Sequence, residues 1–332
     1  MACYIIILNY NTWEDTIECI ESVLKSDYQD IKVVVCDNHS ENQSLTHLEK
    51  WAQGNESVSC IKNAFIRKFI YPLVPKPLIY QKLDEKDVRD NSAIEAGILN
   101  FIANSANKGF AGGMNVGIRF ALNQHDCQYI WCLNNDTVVA PDALKKMIIT
   151  TENNRNIGIC SSRSYYYDAP DEEQWLIHRT GFNKWLCISS SINDSALKRQ
   201  KMASYNGASF VVTAEFVKKV GLMEEKYFLY CEEWDWTIRG KKAGFKLAFA
   251  TDSRIYHKQG RTTGGTEIYK SYTADYYGVR SKILFTRKFY PYCIPTVYIG
   301  LIAAIVNRIR RKQYNRVGMI LKLMLNPYPT LK

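Results

Sequence analysis

Tyr129-Ile-Trp-Cys-Leu133 runs directly into Asn134-Asn135-Asp136-Thr137, and the join between the two decides how the chain folds. The first five residues are apolar and of β type, so they read as a buried strand. The next four are polar. They stop the strand and leave oxygen ligands at the carboxyl end of a sheet, where open α/β folds bind their ligands. A carboxylate at Asp136 is placed there to hold a metal. The competing reading is a turn or helix cap ahead of Pro141-Asp142, since Asn and Asp favour both.

Working outward, Cys3-Tyr-Ile-Ile-Ile-Leu8 is a second apolar β-type run, ending at Asn9-Tyr10-Asn11. Thr12-Trp-Glu-Asp-Thr16 follows as a capping-type sequence, then Ile17, Ile20, Val23 and Leu24 at helical spacing. Ile31-Lys-Val-Val-Val-Cys36 is a further buried strand, ending in Asp37-Asn38. Strand, helix and strand make one βαβ unit. Asn9, Tyr10 and Asp37 then lie on one sheet edge and can line a crevice for a nucleotide base and ribose; Asp37 reads equally well as a turn residue. Further on, Asn107-Lys108-Gly109-Phe-Ala-Gly112-Gly113-Met-Asn115 follows Ile98-Leu-Asn-Phe-Ile102 and precedes a helical stretch, Val116 to Leu122. Its glycines permit close backbone approach to a ligand, and a helix amino terminus beyond them favours phosphate. It is neither a Walker loop nor a dinucleotide fingerprint, because the Gly-Lys-Ser/Thr ending and the glycine spacing are wrong.

These motifs, with Gly207-Ala208-Ser209, Tyr227-Phe-Leu-Tyr-Cys-Glu232-Glu233-Trp-Asp235 and His257-Lys-Gln-Gly260, resemble the ordered motif series of family 2 glycosyltransferases. The match is closest to the bacterial rhamnosyltransferase-like branch of surface-polysaccharide synthesis. The resemblance implies a GT-A fold: α/β, with a Rossmann-like, mostly parallel central sheet flanked by helices. It also implies a nucleotide-sugar donor (dTDP- or UDP-linked), a divalent metal (Mg²⁺ or Mn²⁺) and inversion at the anomeric carbon.

Position by position, Asn134-Asn135-Asp136 occupies the family's Asp-x-Asp site, with Asn in place of the first Asp. Asp136 is its one carboxylate ligand. His257 falls at the family's metal-binding histidine. Glu233 falls at the general base, with Glu232 as its acidic partner. A solvated helix start, favoured by the helix dipole, would place the same two acids there. Asp235 either orients the acceptor or caps that helix. The donor would meet Asn9, Tyr10, Asn11, Asp37, Asn107, Lys108, Gly109, Gly112, Gly113, Asn115, Asn134 and Asn135, and Gly207 and Ala208 would leave room for a sugar ring.

Composition agrees with an enzyme of this kind. The 332 residues are 46% hydrophobic, ample for a large core. Ten cysteines include no Cys-x-x-Cys pair, and several sit in apolar strands, which points to reduced thiols rather than a disulfide framework or zinc site. Met1-Ala2-Cys3 offers no basic leader, so the expected location is the cytoplasm.

The formal charge of +10 is a property of the tail. Residues 276–332 hold 11 of the 43 bases and no acid, leaving 32 bases against 33 acids elsewhere. With the apolar run Tyr292–Val306, this tail suits an interfacial helix on anionic lipid, at the inner face of the cell membrane. A folded-back helix with a solvated basic face is the alternative. Nucleic acid is not indicated, because the remainder is not basic. The expected organisation is a GT-A domain over 1–265, with an insertion or long loop at 59–97, and a helical, basic, membrane-associating segment over 266–332. Trp175, His178 and Trp185 lie in another variable stretch, where aromatic rings could stack on acceptor sugars or simply pack.

The resulting expectation is an inverting, metal-dependent glycosyltransferase moving rhamnose onto a lipid-linked saccharide acceptor. A sugar-nucleotide pyrophosphorylase is the first alternative, but it would want a Gly-rich, basic loop where Asn9-Tyr-Asn-Thr-Trp13 stands. A non-catalytic, membrane-bound sugar-binding partner is the second; Glu233 and Asp136 argue against it.

Overall fold

The computed structural model describes residues 2–58, 61, 63–89, 94–174, 180–191, 203–205, 207–258, 271–329 and 331. Cys60, Trp175, His178, Gln259 and Gly260 lie outside them. In chain order the strands are β1 (Ala2–Asn9), β2 (Ile31–Asp37), β3 (Tyr80–Asp84), β4 (Leu99–Ala103), β5 (Cys127–Asn134), β6 (Thr137–Val139), β7 (Ile157–Tyr166), β8 (Thr180–Asn183), β9 (Ile188–Ser191), β10 (Ala203–Ser204), β11 (Ser209–Thr213) and β12 (Lys246–His257).

Nine of them form one sheet in the order β3-β4-β2-β1-β5-β11-β7-β12-β6. The five from β3 to β5 are parallel, whereas β11 runs antiparallel to both β5 and β7. This is the α/β, mostly parallel sheet that the apolar runs imply. Alternate residues of β1 feed two cores: Cys3, Ile5 and Ile7 pack with Ile17, Ile20 and Trp51 on one face. Tyr4 and Ile6 pack with Met114, Ile118 and Phe210 on the other. Each such apolar side chain contributes about 1.5–3 kcal/mol when fully buried.

One expectation is corrected here. The glycine-rich segment is not a loop preceding a helix, because the helix begins at Gly109 and runs to Leu122. Its glycines are spent on close packing. A Cβ on Gly113 would strike Leu8 of β1, one on Gly117 would come 2.5 Å from Ile6, and one on Gly109, at φ +68°, would strike the Phe228 carbonyl. Residues 59–97 are expected from the sequence to be an insertion or long loop. Their described part holds a helix at Ala64–Ile70, capped by the Asn63 side chain, then β3 and a short helix at Glu85–Arg89. The segment is pinned by the buried Glu21, which accepts from Trp51 Nε1 (3.0 Å), the Val74 amide (2.9 Å) and Lys76 Nζ (2.8 Å).

The basic tail folds into helices Tyr272–Phe289, Ile294–Arg310 and Tyr314–Leu325. Much of its charge points inward. Arg280 donates to the carbonyls of Lys226 (2.7 Å), Tyr227 (3.1 Å), Tyr328 (3.0 Å) and Pro329 (2.7 Å). Arg308 and Arg316 close on Asp275 at 2.9 and 3.0 Å. The tail therefore braces residues 226–229, just ahead of the Glu232-Glu233 pair. Arg280→Met leaves four carbonyls without these donors and should lower unfolding stability by at least about 2 kcal/mol in urea titration. An unchanged midpoint and slope would remove the brace from the account.

Candidate functional site

Strand order reverses around β1: β2 lies on one side and β5 on the other, which opens a crevice at the carboxyl ends of the strands. Asn9, Asp37 and Asn134 end β1, β2 and β5 at that edge. Asn9 is fully buried and ties its neighbours together; its Nδ2 donates to Asp37 Oδ1 (2.6 Å) and its Oδ1 accepts from Thr16 Oγ1 (2.8 Å). Asp37 also accepts from the Ser40 amide (3.0 Å) and hydroxyl (2.6 Å). Tyr10 and Asn11, the latter at φ +57°, stay half-buried at the mouth. Asn135 donates to Thr12 Oγ1 (2.7 Å) and Thr16 Oγ1 (2.9 Å), fixing the turn after β5 against the loop after β1. Thr12 stands at the N-cap of the helix Trp13–Val23, as its segment suggested, but its side chain makes no capping hydrogen bond.

Asp136 follows directly. It precedes β6, whose Thr137 pairs with His257 at the end of β12. That pairing brings His257 Nε2 to 3.0 Å from Asp136 Oδ1, with both side chains buried. Burial works to raise the Asp136 carboxyl, but His257 and then Lys258 hold it below the ordinary range. The separation suits adjacent ligands on one octahedral cation, whose bonds of roughly 2.1 Å put neighbouring donors about 3 Å apart. Among the described residues no group of three or more His, Cys, Asp or Glu gathers to hold an ion. A divalent cation there would be held by one carboxylate and one imidazole, with its remaining ligands from outside these two side chains.

The second half of the site starts at β11. The Asn134 amide donates to the Ala208 carbonyl (2.8 Å), so Gly207-Ala208 lies against the end of β5. A Cβ on Gly207 would strike Glu233 Oε1, and only glycine leaves that carboxyl its place. Glu233 is half-buried, whereas Glu232 is buried with its Oε2 lacking a hydrogen-bond partner. Burial, and then the charge of Glu233, push the Glu232 carboxyl well up. Burial raises Glu233 as well. The pair stands at the start of the helix Glu232–Lys242, after a turn in which Phe228, Tyr230 and Cys231 all adopt positive φ (67°, 69° and 73°). Such non-glycine strain gathers where a side chain must be aimed.

Four expected site residues are engaged with protein partners. Asp235 is fully buried; its Oδ2 accepts from Tyr227 OH (3.0 Å) and Lys288 Nζ (2.6 Å), and its Oδ1 from Arg239 Nε (2.5 Å). It anchors the tail to the Glu232–Lys242 helix and is not open to an acceptor. Asn115 spends its amide on Met223 and Glu225, clamping two segments away from the crevice. Lys108 turns its ammonium to Glu85 (3.2 Å), while Asn107 accepts from Asn38 (2.9 Å) and from the Gly109 amide (3.0 Å). A cluster that the sequence reading missed lies beside the Asp136–His257 pair. Lys258 Nζ meets Asp15 Oδ1 (2.5 Å) and Glu18 Oε2 (2.7 Å), and Tyr167 OH donates to Glu18 (3.0 Å). The i,i+3 spacing of Asp15 and Glu18 on one helix was its only signal.

The chain belongs to glycosyl transferase family 2, whose model matches residues 4–67 and 86–221. The unmatched 68–85 fall within the expected insertion; Glu233 and His257 lie beyond the match. The low-salt glycan biosynthesis hexosyltransferase Agl10 of Haloferax volcanii is 19% identical over 167 residues, 48% of this chain. The chain spans about half the length of that curated relative, 52%. The S. aureus TarS fragment solved with UDP-GlcNAc matches with TM-score 0.54 at 13% identity, over 99% of this chain and 82% of that one. The mannosyltransferase PcManGT of Pyrobaculum calidifontis, solved with GDP-Man and Mn²⁺, gives 0.52 at 12% identity, over 98% and 81%. At such identities the likeness shows the GT-A-like fold.

Calorimetric titration of Mn²⁺ in the presence of a nucleoside diphosphate tests the cation pair. Asp136→Ala should abolish binding and His257→Ala should weaken it at least about 10-fold, the scale on which lost ligand-shell contacts are felt. Unchanged affinity in both variants would remove the pair as ligands.

Proposed function

We propose that this glycosyltransferase moves a hexosyl unit, rhamnose by the motif resemblance, from a dTDP- or UDP-linked donor to a lipid-linked glycan acceptor, with inversion. The setting is cell-surface polysaccharide synthesis, O-antigen or capsule, at the inner face of the cell membrane. The relatives support a nucleotide-sugar donor: one is a glycan-building hexosyltransferase, and two solved neighbours carry UDP-GlcNAc and GDP-Man.

The observation that carries the reaction type is the unequal carboxyl pair beside Gly207. Burial raises both carboxyls, but Glu232 is buried with one oxygen unpartnered whereas Glu233 is half-buried and nearer solvent, so Glu233 is the one placed to ionise and exchange a proton. Glu233 then accepts the acceptor hydroxyl proton as that oxygen bonds to the anomeric carbon. The bond from that carbon to the diphosphate oxygen breaks, and the electron pair leaves with the diphosphate. Asp136 and His257 would hold a divalent cation, which would neutralise charge developing on the leaving diphosphate. Asn9, Asp37 and Asn135 fix the loops that would receive the nucleotide, and Gly207 leaves the base its place beside the reacting centre. General-base help of this kind is worth about 10²- to 10⁴-fold.

Single-turnover transfer measured against pH tests the assignment. Because burial raises the Glu233 carboxyl, transfer should fall as pH drops through a range above that of an ordinary carboxylate. Glu233→Gln should remove that limb and slow transfer at least about 10²-fold, with donor affinity little changed. A variant that keeps most of its rate would place the base elsewhere.

A further inference from the structure

Exposed apolar side chains collect on one part of the molecule. On the helix Ile294–Arg310, residues Ile299, Ile302, Val306 and Ile309 are 65%, 52%, 45% and 47% exposed. Their spacing of three, four and three places them on a single stripe. The opposite stripe, Val297 and Leu301, is buried with Phe285, Met319 and Leu323. The β8–β9 hairpin meets the start of this helix. Thr296 Oγ1 donates to the Trp185 carbonyl (2.5 Å), Lys184 Nζ to Tyr292 OH (3.3 Å), and the Trp185 and Tyr292 rings stand edge to face at 6.1 Å. Trp185, Leu186, Ile188 and Tyr292 are themselves exposed.

We infer that hairpin and helix together form a docking face for an anionic lipid bilayer, which lies along the helix rather than being crossed by it. The inference rests on the lipid-linked acceptor proposed above and says which surface meets the lipid. Monomeric soluble proteins rarely expose contiguous apolar patches beyond a few hundred Å². Trp and Tyr at one end of the stripe are side chains that settle at a membrane–water boundary. At its other end stand Arg310, Arg311 and Lys312, all exposed. Four of the tail's other bases sharpen this choice: Arg280, Lys288, Arg308 and Arg316 are engaged by protein partners, and no acid occurs after Asp275.

Residues Pro291–Arg310 are long and apolar enough to cross a membrane, and only 17% of the apolar window is buried. Packing of Val297 and Leu301 on the neighbouring helices, with Arg308 held at Asp275, keeps this helix on the body of the protein. That geometry favours lying on lipid over spanning it. The hairpin also reaches the catalytic end. Phe182 of β8 packs 4.8 Å from Trp234, the residue next to Glu233, and 5.3 Å from Phe285 of the tail. A saccharide carried on a lipid at this face would thus be offered close to the proposed base.

Co-sedimentation of the full chain with phosphatidylcholine vesicles, with and without phosphatidylserine, tests the face. Wild type should bind the anionic vesicles. Arg310→Glu with Arg311→Glu should weaken binding at least about 25-fold, from roughly fivefold per lost base. Ile299→Glu with Ile302→Glu should abolish it, and donor hydrolysis should stay at the wild-type rate in both double variants. Glu233→Gln should sediment as wild type, so that loss of docking and loss of transfer read out separately. Equal binding by wild type and the isoleucine variant would overturn the proposal. So would a dimer in sedimentation velocity that the isoleucine variant dissolves while no form binds vesicles, which would make a second copy the occupant.

Discussion

The Asn134 amide donates to the Ala208 carbonyl across 2.8 Å, and both halves of the site hang on that bond. It continues the antiparallel pairing of β5 with β11, in which Ser209 faces Leu133. On the β5 side the next residues are Asn135 and Asp136; on the β11 side the preceding residue is Gly207, against Glu233. The register is held from the interior, where Trp131 Nε1 donates to Ser209 Oγ (2.9 Å) and Ser161 Oγ to the Ser209 carbonyl (3.1 Å). A slip of one residue would turn Phe210 and Val212 out of one core and Val211 out of the other. The cation ligands and the base are therefore kept in register by ordinary strand pairing.

Holding two carboxyl groups side by side in a buried setting has a cost, and the surroundings offset it. Glu232 lacks a partner for one oxygen, and three residues just before it stand in the left-handed region, each costing of order 1–3 kcal/mol. The tail supplies the compensation. Arg280 and Ser281 bind the carbonyls of Tyr227 and Leu229, and Lys288 joins Asp235 to Glu224. The same helices that carry the excess basic charge thus hold the base-bearing turn in shape.

What could be read from the sequence follows a physical division. Buried strands such as β1 and β5 announce themselves through continuous apolar runs, and their polar ends mark the crevice; Asp136 and His257, far apart in the chain, meet as the motif order implied. Glycine is ambiguous in sequence, because close approach to a ligand and close approach to a neighbouring strand demand the same residue. Gly113 and Gly117 serve the second purpose. Asp235 was unreadable for a similar reason: an acid near a motif gives no sign that Tyr227, Arg239 and Lys288 will surround it. Lys258, Asp15 and Glu18 belong to elements that only tertiary pairing brings together.

The central claim is that of two adjacent acids, the half-buried Glu233 beside Gly207, and not the buried Glu232, is the one placed to exchange a proton. Carbon-13 NMR of glutamate-labelled protein, with each carboxyl assigned from its Gln variant, reads both titrations directly. The account predicts two raised titrations, with Glu233 ionising first and at the pH where single-turnover transfer rises. Glu232 ionising first, or a Glu233 titration unrelated to the transfer profile, would contradict it.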